Sequence, residues 1–251
     1  MLKSLGLVSI IFGLCSFNLV AGPMLLLDVV QHQNNLFAAA ERGYVAKLDW
    51  QHSDNPTLIK TATDVMLTAI TTSEGDVLWA VGHEGVIVKS TDGGKSWQIN
   101  HQHELGGALF DISFFDAKHG IAVGAYGLFL RTQDGGESWQ QEYHSGLLPT
   151  EDRQYLNEIR EQSEEDYQFE LSSILPHLNQ IKLIDGTLFM VGELGLLAAS
   201  TDYGKNWQRL NISYQGSLYD VAEAQRGIWI SGMRGNLYFV AQANIASNVA
   251  T

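Results

Sequence analysis

Short apolar runs, broken by turns rich in glycine and aspartate, set the rhythm of this chain. Ala108–Phe115 (ALFDISFF) predicts a strand, as do Gly120–Ala125, Gly127–Thr132 and Ser138–Tyr143 after it, because β-branched and aromatic residues recur there with alternating polarity. These four make one unit, read from innermost to outermost strand. The same parse starts at Val65, Leu178 and Ser217, and more loosely at Met24. Fixed punctuation keeps the units in register. Gly-x-x-Gly joins the second and third strands at Gly82–Gly85, Gly124–Gly127, Gly192–Gly195 and Gly232–Gly235, where positive φ suits a tight hairpin. The second glycine and its counterpart Gly43 fall 42, 42, 68 and 40 residues apart.

A second phrase, Ser/Thr-x-Asp-x-Gly-x-x-Trp, turns strand three into strand four in three units: Asp92, Gly94 and Trp97; Asp134, Gly136 and Trp139; Asp202, Gly204 and Trp207. The aspartate can accept N–H bonds inside the turn, the glycine takes a conformation barred to other residues, and the tryptophan folds back over apolar surface. This is the Asp-box of BNR-repeat propellers, and its residues read as structural. The expected fold is an all-β propeller of four-stranded antiparallel blades. Five repeats are visible, as a complete small ring or as a shortened relative of a larger one.

The 68-residue interval carries an insertion, Gln141–Leu175. Pro149-Thr150 followed by acids predicts one helix capped by Thr150. Tyr155, Leu156 and Ile159 form an apolar stripe that packs it on the propeller or faces a partner. Glu158, Glu161, Glu164, Glu165 and Asp166 read as a solvated acidic face, with calcium capture as the alternative, although no EF-hand pattern is present.

Met1–Gly22 has one lysine, Lys3, an apolar run and small residues at its end, as a cleaved secretory signal does; an uncleaved anchor is the rival, because apolar character resumes at Met24. The propeller domain is then 23–251. The sole cysteine, Cys15, lies in this segment, so the mature chain has no thiol and stability rests on packing. The expected location is export to the periplasm. A formal net charge of −13 with no basic run argues against nucleic acid and anionic membrane surfaces as partners.

The phrase ALFDISFFDAKHGIAVGAYGLFLRTQDGGESW, with Glu41-Arg42-Gly43, Gly82-His83-Glu84-Gly85, His177-Leu178-Asn179 and Tyr214–Leu218, resembles the repeats of the photosystem II stability/assembly factor family, and still more its exported relatives in non-photosynthetic bacteria. The resemblance spans Leu25–Val240. It implies a non-catalytic propeller that helps assemble a membrane complex by binding a newly inserted subunit. That family's usual ring has seven blades and an arginine-rich binding patch. Here five repeats are visible, and the seven arginines (Arg42, Arg131, Arg153, Arg160, Arg209, Arg226, Arg234) are scattered.

Catalytic and cofactor chemistry finds little support. A sialidase-like hydrolase would need converging arginines, and only Arg42 and Arg234 occupy equivalent repeat positions. His101, His103 and Glu104 lie close together, and the two imidazoles, two residues apart, can face one side of a strand, but no third ligand on that side is obvious. No phosphate loop follows a strand, and no cofactor or tightly bound small molecule is expected. Asn211-Ile212-Ser213 is a glycosylation sequon of little weight in a bacterial export context. The residues inside the hairpins remain: Glu41, Arg42, His83, Glu84, Ala125, Tyr126, Glu193, Leu194, Met233 and Arg234. In a propeller they ring one face. Exposure accounts for the polar ones; Tyr126, Leu194 and Met233 point instead to a protein partner, a subunit of a membrane or envelope complex. The alternative function is carbohydrate binding or hydrolysis.

Overall fold

Both central residues of every glycine hairpin lie at positive φ: Arg42 and Gly43, Glu84 and Gly85, Tyr126 and Gly127, Leu194 and Gly195, Arg234 and Gly235. With the bond from the following N–H back across the turn, as from Leu196 to the Glu193 carbonyl at 3.0 Å, this is the type I′ turn that matches strand twist. The first glycine has another reason to be there. Gly82 and Gly124 are extended (φ −168° and −171°), and a Cβ on Gly82, Gly124 or Gly192 would collide with the carbonyl oxygen of Met66, Ala108 or His177. Positive φ therefore explains only the second glycine of the pair, and close approach of the adjoining chain explains the first.

The computed structural model describes residues 24–52 and 55–242, and the expected signal segment, with Lys3 and Cys15, lies outside the described residues. Five antiparallel sheets follow one another. Blade 1 holds β1 (Leu26–His32), β2 (Asn35–Ala40), β3 (Tyr44–Asp49) and β4 (Thr57–Lys60). Blade 2 holds β5 (Leu67–Thr72), β6 (Leu78–Gly82), β7 (Val86–Ser90) and β8 (Gln98–Gln102). Blade 3 holds β9 (Leu109–Phe114), β10 (Gly120–Gly124), β11 (Phe129–Thr132) and β12 (Gln140–Gln141). Blade 4 holds β13 (Leu178–Ile184), β14 (Thr187–Gly192), β15 (Leu197–Ser200) and β16 (Gln208–Arg209). Blade 5 has three strands among the described residues, β17 (Leu218–Ala224), β18 (Gly227–Gly232) and β19 (Asn236–Ala241), one fewer than the repeat predicts.

Neighbouring blades stack face to face, and equivalent residues do the same work at each joint. The leucine that opens an inner strand points back at the preceding blade: Leu67, Leu109, Leu178 and Leu218 are fully buried in four successive apolar clusters. Phe37, Trp79, Ile121 and Phe189, at one position of the second strand, point forward into the same clusters. Inner strands are also cross-linked by side chains. Asp28 accepts from Ile70 N at 2.9 Å, Asp111 from Ile181 N at 2.9 Å and Gln180 from Val221 N at 2.8 Å.

Among the described residues the stack is open at both ends. Leu26 and Val29, equivalents of buried residues in blades 2 to 5, are 48% and 60% exposed, and on blade 5 the forward-facing Trp229 and Leu237 are 44% and 62% exposed. Inner strands pack in the order β1, β5, β9, β13, β17, with no comparable packing of β17 on β1 among the described residues. Among the described residues the five blades form an unclosed arc and not a complete small ring.

The Asp-boxes are built as their residues predict. Asp134 accepts from Ser138 N at 2.9 Å and Ser138 Oγ at 2.6 Å, and the hydroxyl of Thr132 accepts from Gly136 N at 2.8 Å while donating to Asp134. The Ser138 hydroxyl and amide hold the Asp134 carboxyl down at about 2; Asp92, bonded to Ser96, is likewise lowered, and in Asp202 the bonds from Asn206 outweigh burial. Gly94, Gly136 and Gly204 leave no room for a Cβ, because each lies on the forward-facing Phe37, Trp79 or Ile121 of the preceding blade. Trp97 and Trp207 are buried in the joint with the preceding blade, and the half-buried Trp139 sets its edge on Trp79 while donating to Asn100 Oδ1 at 2.9 Å. Thr132→Val keeps the shape but strands the buried Gly136 N–H, a cost of about 1–3 kcal/mol that urea denaturation should register.

The insertion differs from its expectation. It forms two helices, α1 (Thr150–Arg160) and α2 (Glu164–Ile174). Pro149, not Thr150, is the N-cap of α1, and no side chain caps that end. Ser163 caps α2 by accepting from Asp166 N at 3.1 Å, so Glu164, Glu165 and Asp166 are the first turn of a second helix, where their charge suits the amide dipoles. Leu156 is buried in the blade 3–blade 4 joint with Ile159 against it, while Tyr155 is exposed, 3.4 Å from Glu170 Oε1, and outside the stripe assigned to it.

Candidate functional site

The hairpins between second and third strands present most of their inner residues as the repeat predicts, Ala125 being the exception. Arg42, His83, Glu84, Tyr126, Leu194, Met233 and Arg234 are exposed, Glu41 and Glu193 are partly covered, and Ala125 is buried. Most of these tips are held apart on separate blades. The structure brings Tyr126 and Glu193 together through a residue that the hairpin pattern does not contain, His177. The Tyr126 ring meets the His177 ring edge to face at 4.5 Å, and Phe110 of β9 lies 5.8 Å from the same imidazole. Glu193 Oε2 accepts from His177 N at 3.3 Å, and its other oxygen lies 3.8 Å from His177 Nδ1. His177 sits on the link into blade 4, so its neighbours arrive from two blades. A histidine directly before the opening leucine of an inner strand was the one local signal for it.

Backbone conformation marks these tips further. Tyr126 (φ 53°) and Leu194 (φ 55°) occupy the left-handed region, where glycine or asparagine sits at least cost and a bulky side chain is an outlier. The Leu194 carbonyl accepts from Arg209 Nη2, which anchors that tip from below. Tyr126 is 73% exposed. Two large side chains are thus held out to solvent on strained, well-anchored turns.

The other candidates resolve differently. His101 and His103 are neighbours: burial and the His103 charge lower the His101 pKa, and His103 Nε2 is 3.1 Å from Gln141 Oε1. No third histidine, cysteine or carboxylate groups with them among the described residues. Of the acidic residues in the insertion, Glu164 is engaged by Arg160 at 2.8 Å and by Gln168 at 2.8 Å. Arg42 and Arg234 do hold equivalent tips, each on its own blade.

With this geometry in hand, the sequence model of the family described as photosynthesis system II assembly factor YCF48 matches residues 102–223, from the end of blade 2 into blade 5. No curated protein matches the sequence. Among solved structures, YCF48 from Cyanidioschyzon merolae superposes with a TM-score of 0.61 at 17% identity, over 87% of this chain and 67% of that one. A YCF48 bound to D1 peptide superposes at 0.58 with 15% identity, over 86% and 64% of the two chains. An ancestral GH74 enzyme reaches 0.57 at 17% identity, over 86% of this chain and 31% of its own. The chain is a BNR-type propeller related to the photosystem II assembly factor, and it spans about two thirds of the length of those YCF48 structures. Identities this low show fold alone, and the fold is shared with a hydrolase.

Proposed function

We propose that this chain is a non-catalytic, protein-binding propeller that serves as a scaffold or assembly factor for a membrane or envelope complex, and that it acts after export, in a periplasmic setting. One observation carries the reading. Tyr126 and Leu194 are large, exposed and held at positive φ, a backbone state that costs about 1–2 kcal/mol per residue and that asparagine would meet more cheaply. Strain kept at exposed tips is explained by what those side chains touch outside the chain. Aromatic and aliphatic anchors flanked by charges are the composition of a protein-binding patch. The related YCF48 bound to D1 peptide supports a peptide or protein as the partner class.

The test uses detergent-solubilised membranes passed over the immobilised chain. Tyr126→Asn combined with Leu194→Asn abolishes capture of the enriched membrane protein while leaving the melting temperature unchanged or higher, because both substitutions relax the turns. Capture that survives the double variant moves the binding surface away from the hairpins.

A further inference from the structure

Seven arginines are spread over an acidic chain, and those with acid partners are easily accounted for: Arg131 grips Glu142 through Nε at 2.7 Å, and Arg160 pairs with Glu164 at 2.8 Å. Arg153 and Arg209 are different. They line one cavity of about 310 Å³, between the first turn of α1 and the link from blade 4 to blade 5, together with Thr150, Tyr214 and Gln215. Neither has a carboxylate within 4 Å among the described residues. Among the described residues the Arg153 side chain donates only to Thr150 Oγ1, at 3.2 Å, and its Nε is buried without a partner. Arg209 donates to the carbonyls of Leu147, at 2.9 Å, and Leu194. Burial and the charge of Arg153 both push the Arg209 pKa down, against a pull from Asp152 in the other direction.

Two half-buried cations that repel one another, offset only in part by Asp152, are an electrostatic cost that a bound anion reduces. We propose that this cavity is an anion site that takes a carboxylate, with the guanidinium groups of Arg153 and Arg209 supplying the two positive charges. The guanidinium fork fits carboxylate and phosphate alike. Glu151 decides between them, because it lines the same cavity and penalises a second negative charge, which favours a monoanion over a phosphate dianion. The volume lies at the small end for ligand pockets, enough for a short acid or the end of a peptide. The site adjoins the Leu194 hairpin, whose Gly195 lines it and whose Leu194 carbonyl Arg209 holds, but it needs no partner seated on Tyr126.

The experiment follows the arginine Nε–H resonances of the full chain at low ionic strength during titration with N-acetylglycine, N-acetylglycinamide, acetate and inorganic phosphate. N-acetylglycine should shift the Arg153 and Arg209 signals and its amide should not. Tighter binding of N-acetylglycine than of acetate assigns the carboxylate to a peptide terminus, and equal binding assigns it to a free acid. Arg153→Gln should weaken binding about tenfold or more, the loss of one charge-assisted contact. Glu151→Gln should strengthen it, which a merely structural role for Arg153 would not predict. An amide that binds as well as the acid, phosphate that binds better than either, or an Arg153→Gln variant with unaltered affinity overturns the assignment.

Discussion

Replacing Trp79 by alanine should cost about 3–5 kcal/mol, whereas the same replacement at Trp229 should cost about 1 kcal/mol or less. The two tryptophans occupy the same place in the repeat, so the contrast isolates what lies in front of each. Trp79 is fully buried in the blade 2–blade 3 joint, stacked on Phe114 at 4.6 Å, with Lys89 Nζ 4.5 Å from its ring centre and Nε1 donating to Ser73 at 3.1 Å. Gly136 of the next blade rests directly on its ring. Among the described residues nothing comparable covers Trp229, whose main companion there is Phe239 on its own sheet at 5.1 Å. Denaturant melts of the two variants measure the difference. Equal losses would mean that the forward face of blade 5 is packed in solution and that the arc is closed.

Stability should fall as pH rises from about 4 to about 7, and Asp111→Asn should remove most of that slope. Burial pushes the Asp111 carboxyl up to about 7 from an ordinary 3.8, helped by Asp28 and opposed by the N–H groups of Ile181 and Ile112 and by Lys182. A raised pKa means that the folded state holds the proton more tightly than the unfolded chain. The associated stability is complete below about 4 and is lost as pH climbs through about 7. Asparagine removes the charge but sets its NH2 against one of the two N–H groups that Asp111 accepts, so the variant starts less stable and gains on wild type toward neutral pH. The lowered carboxylates work in the opposite sense: Asp134 and Glu142, each held at about 2, lose their contribution as pH falls below the ordinary carboxylate range. The chain should therefore be most stable in mildly acid solution. A denaturation series from pH 4 to 8 on both proteins checks this, and parallel curves would show that Asp111 is already charged within the fold.

Much of the blade was legible in the sequence because its determinants are local. Two residues of an I′ turn and the hydroxyl, carboxylate and glycine of an Asp-box lie within a few positions of one another, so Gly127 or Asp134 can be placed from their neighbours alone. The insertion was read less well. Ser163 sits within a run of acids, and that run hides the end of one helix and the start of the next. The cap of α1 went to Pro149 because the chain enters extended there, a feature that residue type at Thr150 does not reveal. Open ends were invisible, since Leu26 and Trp229 are large apolar residues like their buried counterparts. The grouping of Tyr126, His177 and Glu193, like that of Arg153 and Arg209, joins segments about 50 or more residues apart in the sequence across a blade joint, and no local pattern encodes it.

The most direct test of partner binding at the hairpin face places a photo-crosslinking residue at position 126, 194 or 185 in turn and irradiates each protein with solubilised membranes. Positions 126 and 194 lie on hairpins between second and third strands, and Asp185 lies on the turn between first and second strands at the other end of a blade. The account predicts one shared adduct from positions 126 and 194 and none from 185. An adduct from 185 alone would contradict it.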